Sequence, residues 1–510
     1  MRFLKNLPWK ALLLILLFSF FYLLLSITKH NNFLSGYDLA VSDQVMWKYA
    51  VFHNPLTTIH AYPFTYMFED HIEFIYVFLS PLFWIWNDVR ILIIAQVVLF
   101  CLSGLPMYLL AKWKGLSELL SLTLLFSYLF FFGVQNALWN DVHSNVFGVA
   151  AIAWLIYFLE SGKTFWTFVA FFFAITAKED MAFLTGAIGV VWLVINIRTV
   201  ISSNARDLKE RFLTFVRNDN VRVSCFIILS SLIYLFLVFG VFFPHFTSGY
   251  RFASHEPLLQ SLNPTYFADT LSKRQIIAYS LGWFGFLPLF APLYLLPWLA
   301  DLFHFFVIGH VVESAQEIFL HYRISLAPLL LWPTIMGIQK ISNFKFAISN
   351  KKRATFLLFL LIAVPAIFLQ YSLHLPLSYL TKSWFWHTPA SVASLNRVLT
   401  YLPKDASVVS QNNITPHIGH RDNIFTLWPD VRTYKSATNS PCGKELCRWF
   451  HWVGNPHYMI VDTGPDWDIR HFLANRPDYL EALQNFEHMG KIQVYKRDGT
   501  TTLYKILQQP

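Results

Sequence analysis

Residues 11–27 read ALLLILLFSFFYLLLSI, an unbroken apolar run preceded by Arg2, Lys5 and Lys10. A hydrocarbon core of about 30 Å is crossed by about 20 predominantly apolar residues, so this stretch reads as a transmembrane helix. Charge followed by hydrophobe also opens a signal peptide. Here Thr28-Lys29-His30-Asn31 follow in place of a small-residue cleavage site, so the expectation is an uncleaved first span with a cytoplasmic N-terminus.

Working outward, comparable runs occupy 91–111, 119–134, 146–159, 165–177, 181–197, 223–243 and 356–373. The run 276–298 is interrupted by Pro288, Pro292 and Pro297. It reads either as two half-helices or as one crossing, with 302–312 as a further segment. The chain is 55% hydrophobic and only 14% charged, against about 25% charged in an ordinary soluble domain. The fold class expected is a polytopic α-helical membrane protein with roughly ten spans. The net charge of +9 sits in short clusters beside the apolar runs, which fits positive-inside topology and attraction to lipid headgroups. Nucleic acid is not an expected partner.

The segment 198–222 carries Arg198, Arg206, Lys209, Arg211, Arg217 and Arg222 and should be a cytoplasmic loop. Alternation back from it puts Lys178-Glu179-Asp180 outside, Lys163 inside, Asp141 and His143 outside, and Lys112 and Lys114 inside. That count works if the short run 72–86 lies at the interface without crossing. Residues 29–71 and 244–275 then form exterior loops. The chain divides into a transmembrane domain, 1–375, and an extracytoplasmic domain, 376–510. The tail reads as α/β: strands at 406–410 and 458–462, then a hairpin turning at Asp498-Gly499. Cys442 and Cys447 are disulfide candidates in an oxidising exterior. A zinc site with His451 and His457 has no standard spacing, and two free thiols remain open. No P-loop, GxGxxG or GxSxG signature is present.

On this topology ionisable residues collect at exterior helix ends: Asp38, Asp43 and Gln44; Asp70 and His71; Asp141 and His143; Lys178, Glu179 and Asp180; His321, Tyr322 and Arg323. Carboxylates facing an aqueous cavity can deprotonate a hydroxyl while cations neutralise a departing phosphate. The plainer account is that helix ends need solvation, with Asp180 as a cap and Lys178 snorkelling. Asp38 and Asp43, five apart, do not share a helix face.

The order Tyr37-Asp38, Asp43-Gln44, Trp47, Asp70-His71, Asp141-Val142-His143, Lys178-Glu179-Asp180, His321-Tyr322, then Leu402-Pro403, Pro416-His417 and Arg421 resembles an uncharacterised family of prokaryotic predicted membrane proteins. That family in turn resembles the GT-C glycosyltransferase superfamily. The resemblance implies a GT-C-like helix bundle in the inner (plasma) membrane. It also implies transfer of a sugar from a polyprenyl-phosphate donor to an extracytoplasmic acceptor. The catalytic base would fall on Asp38. Lys178 would bind phosphate, with His71, His143 and Arg323 as alternatives. Asp43, Gln44, Asp141, Glu179, Asp180, His321 and Tyr322 would line the substrate site, and a divalent metal is possible. Two features depart from the superfamily: Asp38 is followed by Leu39 rather than a second acid, and Asp70-His71-Ile72 stands where a Lys-Pro or Pro-Pro pair is usual before the next apolar segment. The alternative is a transporter or flippase for a lipid-linked or polar solute, using the same carboxylates for proton coupling.

Overall fold

The computed structural model describes residues 8–59, 65–66, 71–201, 218–246, 263–309, 317–343, 351–427, 454–464 and 476–508. In chain order its first helices are α1 (Trp9–Asn31), α2 (Tyr37–Ala50), α3 (Ile75–Leu79), α4 (Leu82–Ile85), α5 (Arg90–Leu102) and α6 (Gly104–Trp113). Next come α7 (Glu118–Phe130), α8 (Phe132–Trp139), α9 (Ser144–Glu160), α10 (Thr164–Ile175), α11 (Met181–Ile201) and α12 (Asp219–Leu237). The last are α13 (Leu271–Trp283), α14 (Leu296–Phe303), α15 (Leu326–Asn343), α16 (Lys351–Ser372), α17 (Ala390–Leu399) and α18 (Arg476–His488).

Among the described residues, 6 helices are long and apolar enough to cross a membrane: Trp9–Asn31, Arg90–Trp113, Met181–Arg198, Asp219–His245, His321–Ser342 and Lys352–Ser372. The pair α7 and α8, bent by 41° at Phe131, raises the number to 7 if it forms one span. Roughly ten spans, expected from apolar runs alone, is therefore too many by this criterion. The runs 146–159, 165–177 and 72–86 became the shorter helices Ser144–Glu160, Thr164–Ile175 and Ile75–Ile85. The last, at 1.5 Å per residue, reaches only about 17 Å, roughly half a hydrocarbon core. Large apolar side chains stand exposed along the spans, among them Leu16 and Phe20 on α1, Ile233 and Phe236 on α12, and Leu357 and Phe368 on α16. Rows of this kind are costly in water and ordinary in lipid.

The chain forms two compact units, each described by itself. The bundle unit comprises Met1–Leu25, Phe68–Ile75 and Ile94–Leu380; the sheet unit comprises Ser26–Met67, Tyr76–Ile93 and Thr381–Pro510. In the bundle unit α11 lies along α12, α9 along α10, and α8 along a 3-10 turn, His321–Ser325. Several internal polar groups here are matched within the unit, as an apolar setting demands. Trp332 Nε1 donates to Glu160 Oε1 (2.8 Å), Lys114 pairs with Glu160 (2.7 Å), and Tyr22 donates to the carbonyl of Leu129 (2.6 Å). The break at Phe131 has no proline to cause it. Its extended ψ of 139° accompanies packing of the Phe131 ring against Phe132, Trp283 and Phe284. The proline-rich run resolves as two helical pieces. α13 ends at Trp283, two 3-10 turns (Leu287–Phe290 and Pro292–Leu295) follow, and α14 continues into a π turn, His304–Ile308.

The sheet unit holds a five-stranded sheet in the order β4-β3-β5-β7-β6, with β3 (Val408–Ser410), β4 (Ile424–Thr426), β5 (Tyr458–Asp462), β6 (Ile492–Asp498) and β7 (Thr501–Ile506). β3 runs parallel to β4 and β5, and β6-β7 is the hairpin expected at Asp498-Gly499. A two-stranded pair, β1 (Leu56–Thr57) and β2 (Thr65–Tyr66), lies after α2. The apolar residues Val45, Tyr49 and Phe52 suggest a helix lying along the membrane interface, but α2 is buried over most of its surface, Asp43, Gln44 and Lys48 included. It packs on α4, β1 and the 3-10 turn Thr415–His417.

Gly133 is where α8 meets the turn His321–Ser325 backbone to backbone: a Cβ there would overlap the main-chain carbonyl of Arg323. Gly133→Ala should therefore cost about 1–3 kcal/mol through overpacking, seen as a lower thermal midpoint in detergent by far-UV circular dichroism. Gly186→Ala, whose added Cβ would meet Ser231 at an ordinary 3.4 Å, should be neutral or stabilise by up to about 1 kcal/mol. Equal midpoints for the two variants would remove the tight contact from the argument.

Candidate functional site

The bundle unit's polar centre is built around the turn between α10 and α11. Its main chain is fixed by Ile75 N, which donates to Thr176 O (2.8 Å). The next residues, Lys178, Glu179 and Asp180, are all buried. Glu179 uses both oxygens: Oε1 lies 2.7 Å from His71 Nδ1, and Oε2 accepts from Ile72 N (3.0 Å). Glu73, just beyond, accepts from Ser144 Oγ at the start of α9. Its other oxygen is buried with no hydrogen-bond partner among the described residues.

The loop before α9 is set by Gln96 of α5, which accepts from His143 N (2.8 Å) and donates to the carbonyl of Asp141 (3.4 Å). The His143 ring then stacks on His321 with centroids 3.5 Å apart, and His321 packs on Tyr322 at 4.0 Å. The ammonium of Lys178 stands 5.9 Å from the Tyr322 ring. Asn136 and Asn140, from the end of α8, donate to the carbonyls of Ile318 and Phe319 and steady the approach to His321. Arg323 is fully buried, its guanidinium 4.8 Å from the Phe305 ring. Ser325 donates to Asp301 Oδ1 (2.7 Å), and His304 stacks on Phe183.

The electrostatics follow from burial and partners. Burial raises the Glu73 and Asp180 carboxyls above their ordinary values, outweighing the cations nearby. Burial also opposes charge on Glu179, but His71, Lys178 and a backbone hydrogen bond together outweigh it and hold that carboxyl below its usual range. Burial would depress Lys178, yet Asp180 and Glu179, with Tyr322 and Glu73, push it up. The result is one carboxyl held low, one ammonium held high and two carboxyls raised above their ordinary range. Such a set can anchor an anion, bind hydroxyls and exchange a proton. No group of three or more His, Cys, Asp or Glu among the described residues is arranged to hold a metal.

His71, Asp141, His143, Lys178, Glu179, Asp180, His321, Tyr322 and Arg323 thus belong to one unit, in which contacts join His71 to Glu179, His143 to His321, and His321 through Tyr322 to Lys178. Asp38, Asp43 and Gln44 belong to the sheet unit. Asp38 is exposed in the first turn of α2. Asp43 is fully buried and pairs with His420 Nε2 (3.0 Å). A Cβ on Gly419 would overlap the Asp43 carboxylate. Gln44 ties α2 to its surroundings: its amide accepts from Thr57 Oγ1 and Thr58 N and donates to Thr58 Oγ1 and the carbonyls of Arg421 and Asp422. Asp70, Cys442 and Cys447 lie outside the described residues. The sequence reading missed Glu73, Asp301, His304 and His420. Asp301 carried a signal, an acid alone in an apolar run. His420 carried none, because its partner Asp43 is remote in sequence.

The Glu179 pairing makes a pH prediction. A carboxyl lowered in the folded state adds stability above its unfolded value, 4.5, and that stability is lost as pH falls below it. Thermal midpoints of wild type and Glu179→Gln should therefore converge as pH drops from 6 toward 3. A constant gap would show that the pair contributes nothing through ionisation.

No curated protein matches the chain. A family model described as "Predicted membrane protein (DUF2079)" matches residues 29–441, from the end of α1 past β4. Every constellation named above falls inside that match, and with its apolar helices this chain belongs to the DUF2079 family of predicted membrane proteins.

Proposed function

We propose that the chain is a membrane glycosyltransferase that moves a sugar from a polyprenyl-phosphate carrier to an acceptor on the extracytoplasmic face. Its N-terminus would be cytoplasmic, and residues 376–510 would lie outside an inner (plasma) membrane. The observation that carries this reading is the buried cluster itself. The stretches 71–73, 141–144, 178–180, 301–304 and 321–323 bring a cation, hydrogen-bonding rings and two open carboxyls together. Ionisable groups are expensive among apolar helices and by default have a function there.

In the proposed reaction the acceptor hydroxyl gives its proton to a carboxylate, and its oxygen bonds to the anomeric carbon. The bond from that carbon to the phosphate oxygen breaks, and polyprenyl phosphate leaves with the electron pair beside the Lys178 ammonium. Arg323 and the His143–His321 stack border the same cluster, and Glu179, paired to His71, holds it together. Two acids compete for the role of base. Asp38 has the position that the resemblance to GT-C enzymes gives it. Asp180 sits next to Lys178, has a buried oxygen without a partner among the described residues, and is raised by burial, which suits a base. The proposal takes Asp180.

A transporter reading draws on a different observation. Asp301 is buried in α14 with Oδ2 unpartnered among the described residues, as proton-carrying groups in transporters are.

Purified full-length chain in proteoliposomes, given radiolabelled polyprenyl-phosphate sugars, should release polyprenyl phosphate. Asp180→Asn should lower kcat by about 10²–10⁴ with little change in donor affinity. Asp38→Asn should retain most activity; a null Asp38→Asn variant would move the base to Asp38. The ionised base is the active form, and its carboxyl lies above 3.8, so kcat should rise with pH through that raised value and then level off. Absence of release from every donor, together with proton-driven uptake lost in Asp301→Asn, would replace transfer by transport.

A further inference from the structure

The sheet unit contains a cleft of about 770 Å³ that plays no part in the proposed transfer. Its lining includes the ends of two candidate spans: His30 and Asn31 close α1, and Asp88, Val89 and Arg90 lie at the start of α5. A helix of 23 residues at 1.5 Å per residue is about 34 Å long, slightly more than a hydrocarbon core. A span of that length would bring its last residues to headgroup depth.

The rest of the lining includes Asp43 and Trp47 of α2 with Lys404, Asp405, His420 and Arg421. Most of its charges are already matched. Asp88 grips Arg90 through two hydrogen bonds (2.8 and 2.6 Å), and Asp43 grips His420. Arg421 differs. Its Nη1 donates to the carbonyls of Pro403, Lys404 and Ala406, which fix the guanidinium without neutralising it; Asp405 offsets part of the charge. Lys404 is exposed at the same place. The His420 ring is held by Asp43 on one nitrogen, by Trp47 parallel to it (5.8 Å, 6°) and by Phe83 edge-on (4.9 Å, 90°). Its other nitrogen has no hydrogen bond among the described residues. Asp43 Oδ2, fully buried, also has no partner among them. A cavity of this size accommodates a small polar ligand, and a positioned guanidinium beside a lysine is the usual pair for phosphate.

We infer that this cleft receives the phosphate of a membrane-lipid headgroup, with Arg421 and Lys404 as its charge partners and His420 as a further hydrogen-bond partner. The span ends in the lining favour a lipid over a soluble phosphate. The inference is independent of the transfer reaction, since it is read from binding without turnover.

Native mass spectrometry of the full chain in detergent tests it, with dioleoylphosphatidylglycerol, dioleoylglycerol and glycerol 3-phosphate as probes. The phospholipid should be retained and dioleoylglycerol, which lacks phosphate, should not. Lys404→Gln and His420→Gln should each lower retention about fivefold, the loss of one charge-assisted contact. Lys382→Gln, an exposed lysine outside the lining, should leave it unchanged. Lys404 is exposed, so its variant avoids the folding question that Arg421 raises through its three carbonyls. Equal retention of both lipids, or retention unaltered in both cleft variants, overturns the site. Glycerol 3-phosphate bound as tightly as the phospholipid overturns the lipid source.

Discussion

A carboxylate taken out of water must find donors or give up its charge, and the bundle unit's polar centre depends on how Glu179 meets that condition. Both its oxygens are used, one by the His71 ring and one by the Ile72 amide. The pairing also ties the segment before α3 onto the turn before α11, and Ile75 N to Thr176 O closes the link. Glu73 and Asp180 lack such complete partnering. Three neighbouring acids therefore differ: Glu179 is held below its usual range, and burial raises Glu73 and Asp180 above theirs. Lys178 keeps its charge because all three surround it.

Close packing sets the other half of the site. His321, Tyr322 and Arg323 reach the cluster on a 3-10 turn that touches α8 through Gly133. The stack of His143 on His321 then fixes both rings, one from the N-terminus of α9 and one from the turn. The sheet unit uses the same devices. Gly419 leaves room for the Asp43 carboxylate, and Gln44 fastens α2 to β1 and to the strand entering β4. In each unit a missing side chain admits a close approach, and a saturated polar group holds it.

Features governed by local pattern were legible in the sequence. The apolar run 11–27 became α1, and the Asp498-Gly499 turn closed its hairpin. The polar helix ends from His71 to Arg323 came together because charges near apolar helices have few places to go. Features set by tertiary partners were not legible. α2 was expected to be one-sided, yet Asp43, Gln44 and Lys48 are buried by groups from the far C-terminal part of the chain: His420, Arg421 and Asp422. The bend at Phe131 has no proline to announce it, and it is accompanied by packing against aromatic neighbours. Glu73 stands two residues past His71 and was passed over because its partner, Ser144, comes from another helix. Asp38 drew attention by position, which says nothing about exposure.

The charge distribution also bears on which chemistry the cluster favours. With Glu179 engaged by His71, the Lys178 ammonium is the charge an incoming phosphate would meet. In the proposed transfer the acceptor's proton moves onto Asp180 as negative charge builds on the departing phosphate. One anion is extinguished while another forms a short distance away, so the net charge of the buried site stays constant across the step. In a low-dielectric setting that constancy matters, because creating a new uncompensated charge there costs several kcal/mol. A raised carboxyl beside a fixed ammonium provides this compensation. An exposed carboxylate such as Asp38 is solvated already and has less to gain from it.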